Sequence, residues 1–230
     1  IPSIHRIHEA PDPARLIGFN EFADSFKLRL PSPARSTDLQ ALVQQVKGRP
    51  EERVVNTLLL RTMKKARYSE TDPGHFCLGF PHYAHFTSPI RRYPDLILHR
   101  LIKKYMKRKC PQKEKKELLS KLAEISEQST HMEIKAMSIE REVTDLRRAQ
   151  FMADKIGKTF HGLITGVTGF GFFVELQEVF VEGLVKISSI TDDYYLFIET
   201  EHRLIGQRRH RSFQIGDKVK VRVSAVDLGQ

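Results

Sequence analysis

The chain has 230 residues, a formal charge of +10 and a pI near 9.6. A hydrophobic content of 40% and a charged content of 29% are those of a soluble globular chain; no apolar run approaches the ~20 residues of a membrane span, and two cysteines are too few for a disulfide framework or a zinc cluster. A polyanion, nucleic acid first, is the partner that this charge favours.

Residues 1–10, IPSIHRIHEA, read as a short extended segment ended by Pro11 and Pro13. They carry no signal-peptide pattern and fit a chain cut from a longer one. Leu16, Ile17, Phe19, Phe22, Ala23 and Phe26 recur at helical spacing, which predicts a helix over 13–27. A second helix is predicted over 38–47, capped by Asp38 or Thr37 and stopped by Gly48 and Pro50. A third, over 51–66, buries Val54, Val55, Leu58, Leu59, Met63 and Ala66 and turns a basic face to solvent. Residues 68–81 are turn-rich around Asp72, Pro73 and Gly74.

The stretch 82–95, HYAHFTSPIRRYPD, concentrates the chemistry. Pro89 and Pro94 restrict the backbone on both sides of each ring. Ser88 is placed as the cap of a helix whose first position is Pro89, which aims backbone N–H groups outward. Arg91 and Arg92 supply planar forks that match phosphate oxygens, and Tyr83 and Tyr93 offer faces for a base or a sugar. Two local readings stand: an anion grip, or a surface loop held by an arginine salt bridge. His75, His82 and His85 lack the clustered carboxylates or cysteines that would complete a metal site.

From Pro94 a helix is predicted through about Lys107, burying Leu96, Ile97, Leu101 and Ile102. Asp95 and His99 stand one turn apart and are expected to hydrogen-bond. Residues 112–155 form the clearest helix, with a seam of Leu118, Leu122, Ile125, Met132, Ala136, Ile139, Val143 and Leu146. Glu140 lies beside that seam. The composition changes at Gly157, where strands and Gly-rich turns begin. Five such segments suit a small OB-fold barrel. In the last, Val219, Val221 and Val223 point one way and Lys218, Lys220 and Arg222 the other. Phe172, Val174 and Leu176 have the parity of barrel filling, opposite to Phe173.

HFTSPIRRYPDLILHR closely resembles the signature of the ribonuclease R and ribonuclease II family, the RNB-domain exoribonucleases. IHRIHEAPD, LLLRTMKKARY and SIEREVTDL resemble the same family in the same order, and GFGFFVEL followed by EGLVKIS resembles its S1 domain. The resemblance covers essentially the whole chain but begins well inside the RNB domain. It implies an α+β chain: a mainly helical C-terminal part of an RNB domain over 1–155, then a five-stranded S1 OB-fold over 156–230. It implies a processive 3′→5′ exoribonuclease that hydrolyses single-stranded RNA to nucleoside 5′-monophosphates, in the cytoplasm. Mg²⁺ would be held by an aspartate cluster upstream of this segment, with no cofactor in the segment itself, so the fragment alone is expected to be inactive. Arg91 and Arg92 are then the catalytic candidates, and Glu140 faces the RNA channel. Phe170 and Phe173 match base-stacking aromatics, and Lys158, Lys186, Arg208, Arg209 and Arg222, with Tyr83, Ser88 and Tyr93, complete the expected RNA contacts. Two positions depart from the family pattern: Cys77 stands where glycine is common, and Lys186 where histidine often stands. The rival reading is a non-catalytic RNA-binding adaptor. Neither reading calls for a membrane or a small-molecule cofactor.

Overall fold

The computed structural model describes residues 1–49 and 51–228, and of Thr200 only the backbone. Pro50, one of the two expected helix stops, lies outside the described residues. The first strand, His5–Ile7 (β1), falls in the expected extended segment. Pro13–Ala23 (α1) follows, extended by a 3-10 turn to Phe26. Ser36–Val46 (α2) starts two residues before the predicted point. Asp38 is not its cap: from inside the first turn its carboxylate reaches back to accept the Arg35 backbone N–H at 2.8 Å.

Glu52–Thr62 (α3) ends four residues earlier than its pattern predicts. Tertiary pairing takes the chain away from the helix. Arg67–Ser69 (β2) pairs antiparallel with β1, Arg6 opposite Tyr68. Lys64 and Arg67 both reach Glu9, at 2.9 Å each, so two of the cations expected to be simply solvated are ion-paired. Tyr93–Tyr105 (α4) and the 42-residue Gln112–Ala153 (α5) complete the helices.

Residues 1–17, 30–45 and 61–140 form one compact unit. Its core joins Ile4 of the N-terminal segment, Tyr68 of β2, Leu101 and Tyr105 of α4, and Leu122 of α5, with Ile97, Leu118 and Ile125 packed against them. Ile102, expected inside, is exposed. Polar contacts pin β2 to the middle of α5. The Tyr68 N–H donates to the Thr130 hydroxyl at 3.0 Å, and that hydroxyl donates to the Ser126 carbonyl at 2.8 Å. The α5 seam is buried only near its start: Met132, Ile139, Val143 and Leu146 are exposed. Helical periodicity marks an apolar face and says nothing of what covers it.

The other unit comprises residues 18–29, 46–60 and 141–228 of the described chain. The five expected segments resolve into seven strands. Thr159–Thr168 (β3), Gly171–Leu176 (β4), Glu182–Lys186 (β5) and Lys218–Arg222 (β9) form an antiparallel sheet in the order β5-β4-β3-β9. Tyr195–Ile198 (β6), Arg203–Gly206 (β7) and Ser212–Gln214 (β8) form a second. RLIGQRRHRSF is thus a hairpin, and β6 is an additional strand. Among the described residues the hydrogen-bonded ladders do not close into one barrel, but the strands are OB-fold-like and both sheets line one core. Phe160, Ile164, Phe172, Val174 and Leu176 come from the first, Tyr195, Leu204 and Phe213 from the second. The Phe172 and Phe213 rings stack at 4.7 Å between centroids and join them. Val219, Val221 and Val223 pack on this core as their alternation predicts. Gly171, at φ +150°, cannot be replaced: a Cβ there would lie 2.1 Å from the Val185 carbonyl oxygen.

Candidate nucleic-acid interface

In the first unit the arginine loop is built around a carboxylate. Asp95 is 0% exposed. One of its oxygens accepts the Ser88 backbone N–H at 2.8 Å and the Arg92 guanidinium at 2.9 Å. Burial pushes the Asp95 carboxyl up, but these two donors outweigh it and hold it below the usual carboxylate range. The Ser88 carbonyl accepts the N–H groups of both Arg91 and Arg92, at 3.2 and 3.0 Å. Ser88 therefore closes a turn over 88–92 and caps no helix. The α4 helix begins at Tyr93, with Pro94 in its first turn, and Arg92 before it is extended, at φ −121° and ψ 114°. Asp95 does not bond His99 either. The His99 Nε2 meets the Phe86 carbonyl at 2.8 Å, and its ring stacks on Phe86 at 4.2 Å.

The two arginines of the loop are held differently, and the salt-bridge reading holds for one of them. Arg92 is the salt-bridged arginine, held by Asp95 and touching the Thr87 hydroxyl at 3.4 Å. Arg91 is exposed beside the fully exposed Ile90, and its guanidinium has no partner among the described residues. Tyr93 is half exposed at the start of α4. Tyr83 is less available: it stacks on Phe80 at 5.9 Å and meets His75 and His85 edge-on.

A second network, which local spacing rules do not reveal, holds the loop's other end. The Arg6 backbone N–H donates to the Tyr83 carbonyl at 2.9 Å. The Arg6 guanidinium lies over the Tyr68 ring and binds Glu133 of α5 with both forks, at 2.6 and 3.1 Å. The Tyr68 hydroxyl meets His85 Nδ1 at 2.9 Å. Burial first, then the nearby Arg92 and Arg6, lower the His85 pKa, so its imidazole is neutral at pH 7. Glu140 stands seven residues beyond Glu133 on α5, hence on the same helical face, and is exposed.

The second unit displays its cations differently. Phe170 is 57% exposed at the turn between β3 and β4 and meets the half-buried Phe173 edge-on at 6.3 Å. Lys186 ends β5 opposite Gly171 and is exposed. Asp193 accepts the backbone N–H groups of Arg208 and Arg209, the latter at 2.6 Å, which shapes the β7–β8 turn and leaves both guanidiniums outside. Those two donors, Arg209 foremost, with the Tyr194 N–H, hold the Asp193 carboxyl below its usual range. Arg211 is occupied, lying over Phe213 and binding Asp192 at 3.3 Å. Lys158 and Arg222 are exposed beside the β3–β9 ladder.

Among the described residues no group of three or more His, Cys, Asp or Glu side chains is arranged to hold a metal ion, so the donor set does not fit a hydrolytic metal centre. No described helix is long and apolar enough to cross a membrane.

An exposed arginine on a braced loop of a helical unit, followed by an OB-fold-like module with exposed rings and cations, is a combination that suits nucleic-acid binding. Comparison with known proteins narrows it. Residues 1–108 match the RNB domain model and residues 153–229 the S1 RNA binding domain model. Ribonuclease R of Aquifex aeolicus is 45% identical over 98% of this chain, and Ribonuclease R 1 of Lactococcus lactis 43% over 99%. The chain spans 32% and 28% of those two proteins. Mycoplasma genitalium RNase R, solved in apo form and in complex with ribose methylated single-stranded RNA, superposes with a TM-score of 0.85 at 31% identity, over 99% of this chain and 36% of that one. The chain belongs to the ribonuclease R and ribonuclease II family of RNB-domain proteins.

Proposed function

We propose that this chain is part of a ribonuclease R-like exoribonuclease, which degrades single-stranded RNA from the 3′ end to nucleoside 5′-monophosphates in the cytoplasm. The observation that carries the reading is the order and extent of the match: an RNB segment, then an S1 segment, with identity to ribonuclease R over 98–99% of the chain. Residues 1–155 are the RNB part and 156–230 the S1 domain. Carboxylates of the whole protein outside this chain would hold Mg²⁺, which would activate water and stabilise the leaving oxygen.

In this reading Arg91 clamps the phosphate next to the scissile bond. Its fork is presented by a turn that the buried Asp95 holds shut, so the cation is positioned before RNA arrives. Arg92, already engaged by Asp95, positions that turn. Tyr93 offers its exposed ring, Ser88 acts through its backbone, and Tyr83 supports the loop from within the aromatic cluster. Glu140 lines the channel. In the S1 domain Phe170 and Phe173 stack on bases, while Lys158, Lys186, Arg208, Arg209 and Arg222 meet the backbone. The RNA-bound Mycoplasma genitalium RNase R supports this placement by its shared architecture.

The test compares the whole protein with the 230-residue chain on 5′-labelled single-stranded RNA in Mg²⁺. The whole protein is expected to release nucleoside monophosphates and the 230-residue chain none. A whole protein that binds RNA and releases nothing is an adaptor, and the nuclease reading fails.

A further inference from the structure

One side-chain cluster in the first unit has a chemistry that RNA handling does not use. Cys77 lies in the single 3-10 turn Phe76–Leu78. Its Sγ is 3.5 Å from the His8 Nε2 and 4.0 Å from the Met63 Sδ. The three residues are far apart in sequence, and the backbone brings them together. The Phe76 N–H donates to the His8 carbonyl at 2.8 Å, and the His8 N–H to the Gly74 carbonyl at 3.2 Å. His8 is 8% exposed, and its Nδ1 has no hydrogen-bond partner, so nothing locks the tautomer and Nε2 is able to present a lone pair toward Cys77. Cys77 itself is open to solvent, which gives an ion a way in.

Thiolate, thioether and imidazole are a soft donor set, suited to Cu(I) and unsuited to Mg²⁺. The spacings agree with one shared ion. With metal–sulfur bonds of about 2.3 Å and metal–nitrogen bonds of about 2.0 Å, angles of roughly 110–120° put two sulfurs about 3.8–4.0 Å apart and sulfur and nitrogen about 3.5–3.7 Å apart. The observed separations are 4.0 and 3.5 Å.

We propose that Cys77, Met63 and His8 form a binding site for a soft monovalent metal ion of the Cu(I) class. On binding, the Cys77 S–H bond breaks, a sulfur–metal bond forms and the proton leaves to solvent. No electron is transferred.

The probe is Cu(I) itself, titrated anaerobically into the 230-residue chain against a chromogenic Cu(I) chelator. One ion per chain is expected. Cys77→Ser should abolish stoichiometric binding, and Met63→Leu, which keeps the volume, should weaken it about tenfold or more. Cys110→Ser should leave it unchanged. X-ray absorption of the loaded chain should show two sulfur neighbours and one nitrogen. Binding that survives Cys77→Ser, that is indifferent to Met63→Leu, or that shows a single sulfur neighbour overturns the site. Circular dichroism of each variant separates a lost ligand from a lost fold.

Discussion

The arginine loop and the S1 module both carry exposed cations, but they hold them by opposite means. In the loop nearly every charge is consumed internally: Arg92 by Asp95, Arg6 by Glu133, and the turn itself by Ser88. Among the described residues of the loop, Arg91 is the arginine left without a side-chain partner, on a turn braced by Asp95. In the S1 module Asp193 shapes the β7–β8 turn through backbone N–H groups, while Lys186, Arg208 and Arg209 keep their charged ends outside. A charge fixed before the ligand arrives acts where charge develops in a reaction. Several flexible charges share a backbone and act on affinity, with a strong salt dependence. The first design suits a step at one phosphate and the second suits capture of a strand.

The largest expected effect tests that contrast directly. In the whole protein Arg91→Ala should raise the barrier to turnover by about 3–4 kcal/mol, as for loss of one positioned stabilising donor, while affinity for long RNA barely moves. Arg91→Lys should rescue poorly, because a point charge does not reproduce a fork. Single-turnover rates and equilibrium binding measured on the same variants decide it, and equal losses in both would make Arg91 one contact among many.

Next in size is the brace. Asp95→Ala removes a fully buried carboxylate and strands the Ser88 N–H and the Arg92 guanidinium. A loss of about 2–4 kcal/mol of stability is expected in denaturant unfolding of the 230-residue chain. The pH dependence has a definite sign. The folded pKa of Asp95 lies below its unfolded value of about 3.9. Its stabilisation is therefore complete above roughly pH 5 and is lost as the pH falls through the folded value. Asp95→Asn should lose this contribution to the acid limb. An unchanged acid limb in that variant would mean that the loop is held elsewhere.

The helices and the strand alternation were legible in the sequence because they depend on local period: Phe172, Val174 and Leu176 are buried as their parity requires. Ser88 and Pro89 misled because cap rules consider only neighbours, whereas the deciding partner, Asp95, is seven residues away and buried. Asp95 and His99 sit at hydrogen-bonding spacing, yet each had a better partner in the loop. The Arg6–Glu133 pair spans 127 residues and leaves no spacing signal. Strand β6 did leave one, since YYLFI is aromatic and branched and follows the Asp192–Asp193 turn. The exposed half of the α5 seam shows the limit of periodicity, which finds an apolar face without its cover.

On the S1 side the effects should be smaller and should appear in binding. Phe170→Ala and Phe173→Ala should each cost about 1–3 kcal/mol of single-stranded RNA affinity if the rings stack on bases. Phe170, the more exposed ring, should leave thermal melting unchanged. Phe173 is half-buried, so its variant requires the melting control. A Phe173→Ala chain that binds weakly only because it melts early would assign that ring to the core, and two variants that fold and bind like wild type would move the RNA face to the Arg208–Arg209 turn.

The smallest expected effect is the most specific to the distributed design. Lys186 ends β5 on the same rim as Phe170, whose carbonyl accepts the N–H of Ile187, so side chain and ring are held within one turn of each other. A lysine there is a full charge at neutral pH, whereas an imidazole with its ordinary pKa near 6.5 is mostly neutral. A phosphate neutralised by Lys186 releases condensed counterion, and each such contact on a single strand contributes about 0.7 to the slope of log affinity against log salt. Lys186→His should therefore flatten that slope by about 0.7 at pH 7.5, and should recover part of it near pH 5.5, where the imidazole takes a proton. Affinity at high salt should change little, because there the electrostatic term is already screened. The measurement is a salt titration of RNA binding at the two pH values, on wild type and variant together. A slope that is the same for both chains at pH 7.5 would show that Lys186 does not touch the RNA backbone, and would leave Arg208, Arg209 and Arg222 to carry the charge of the strand-capturing surface.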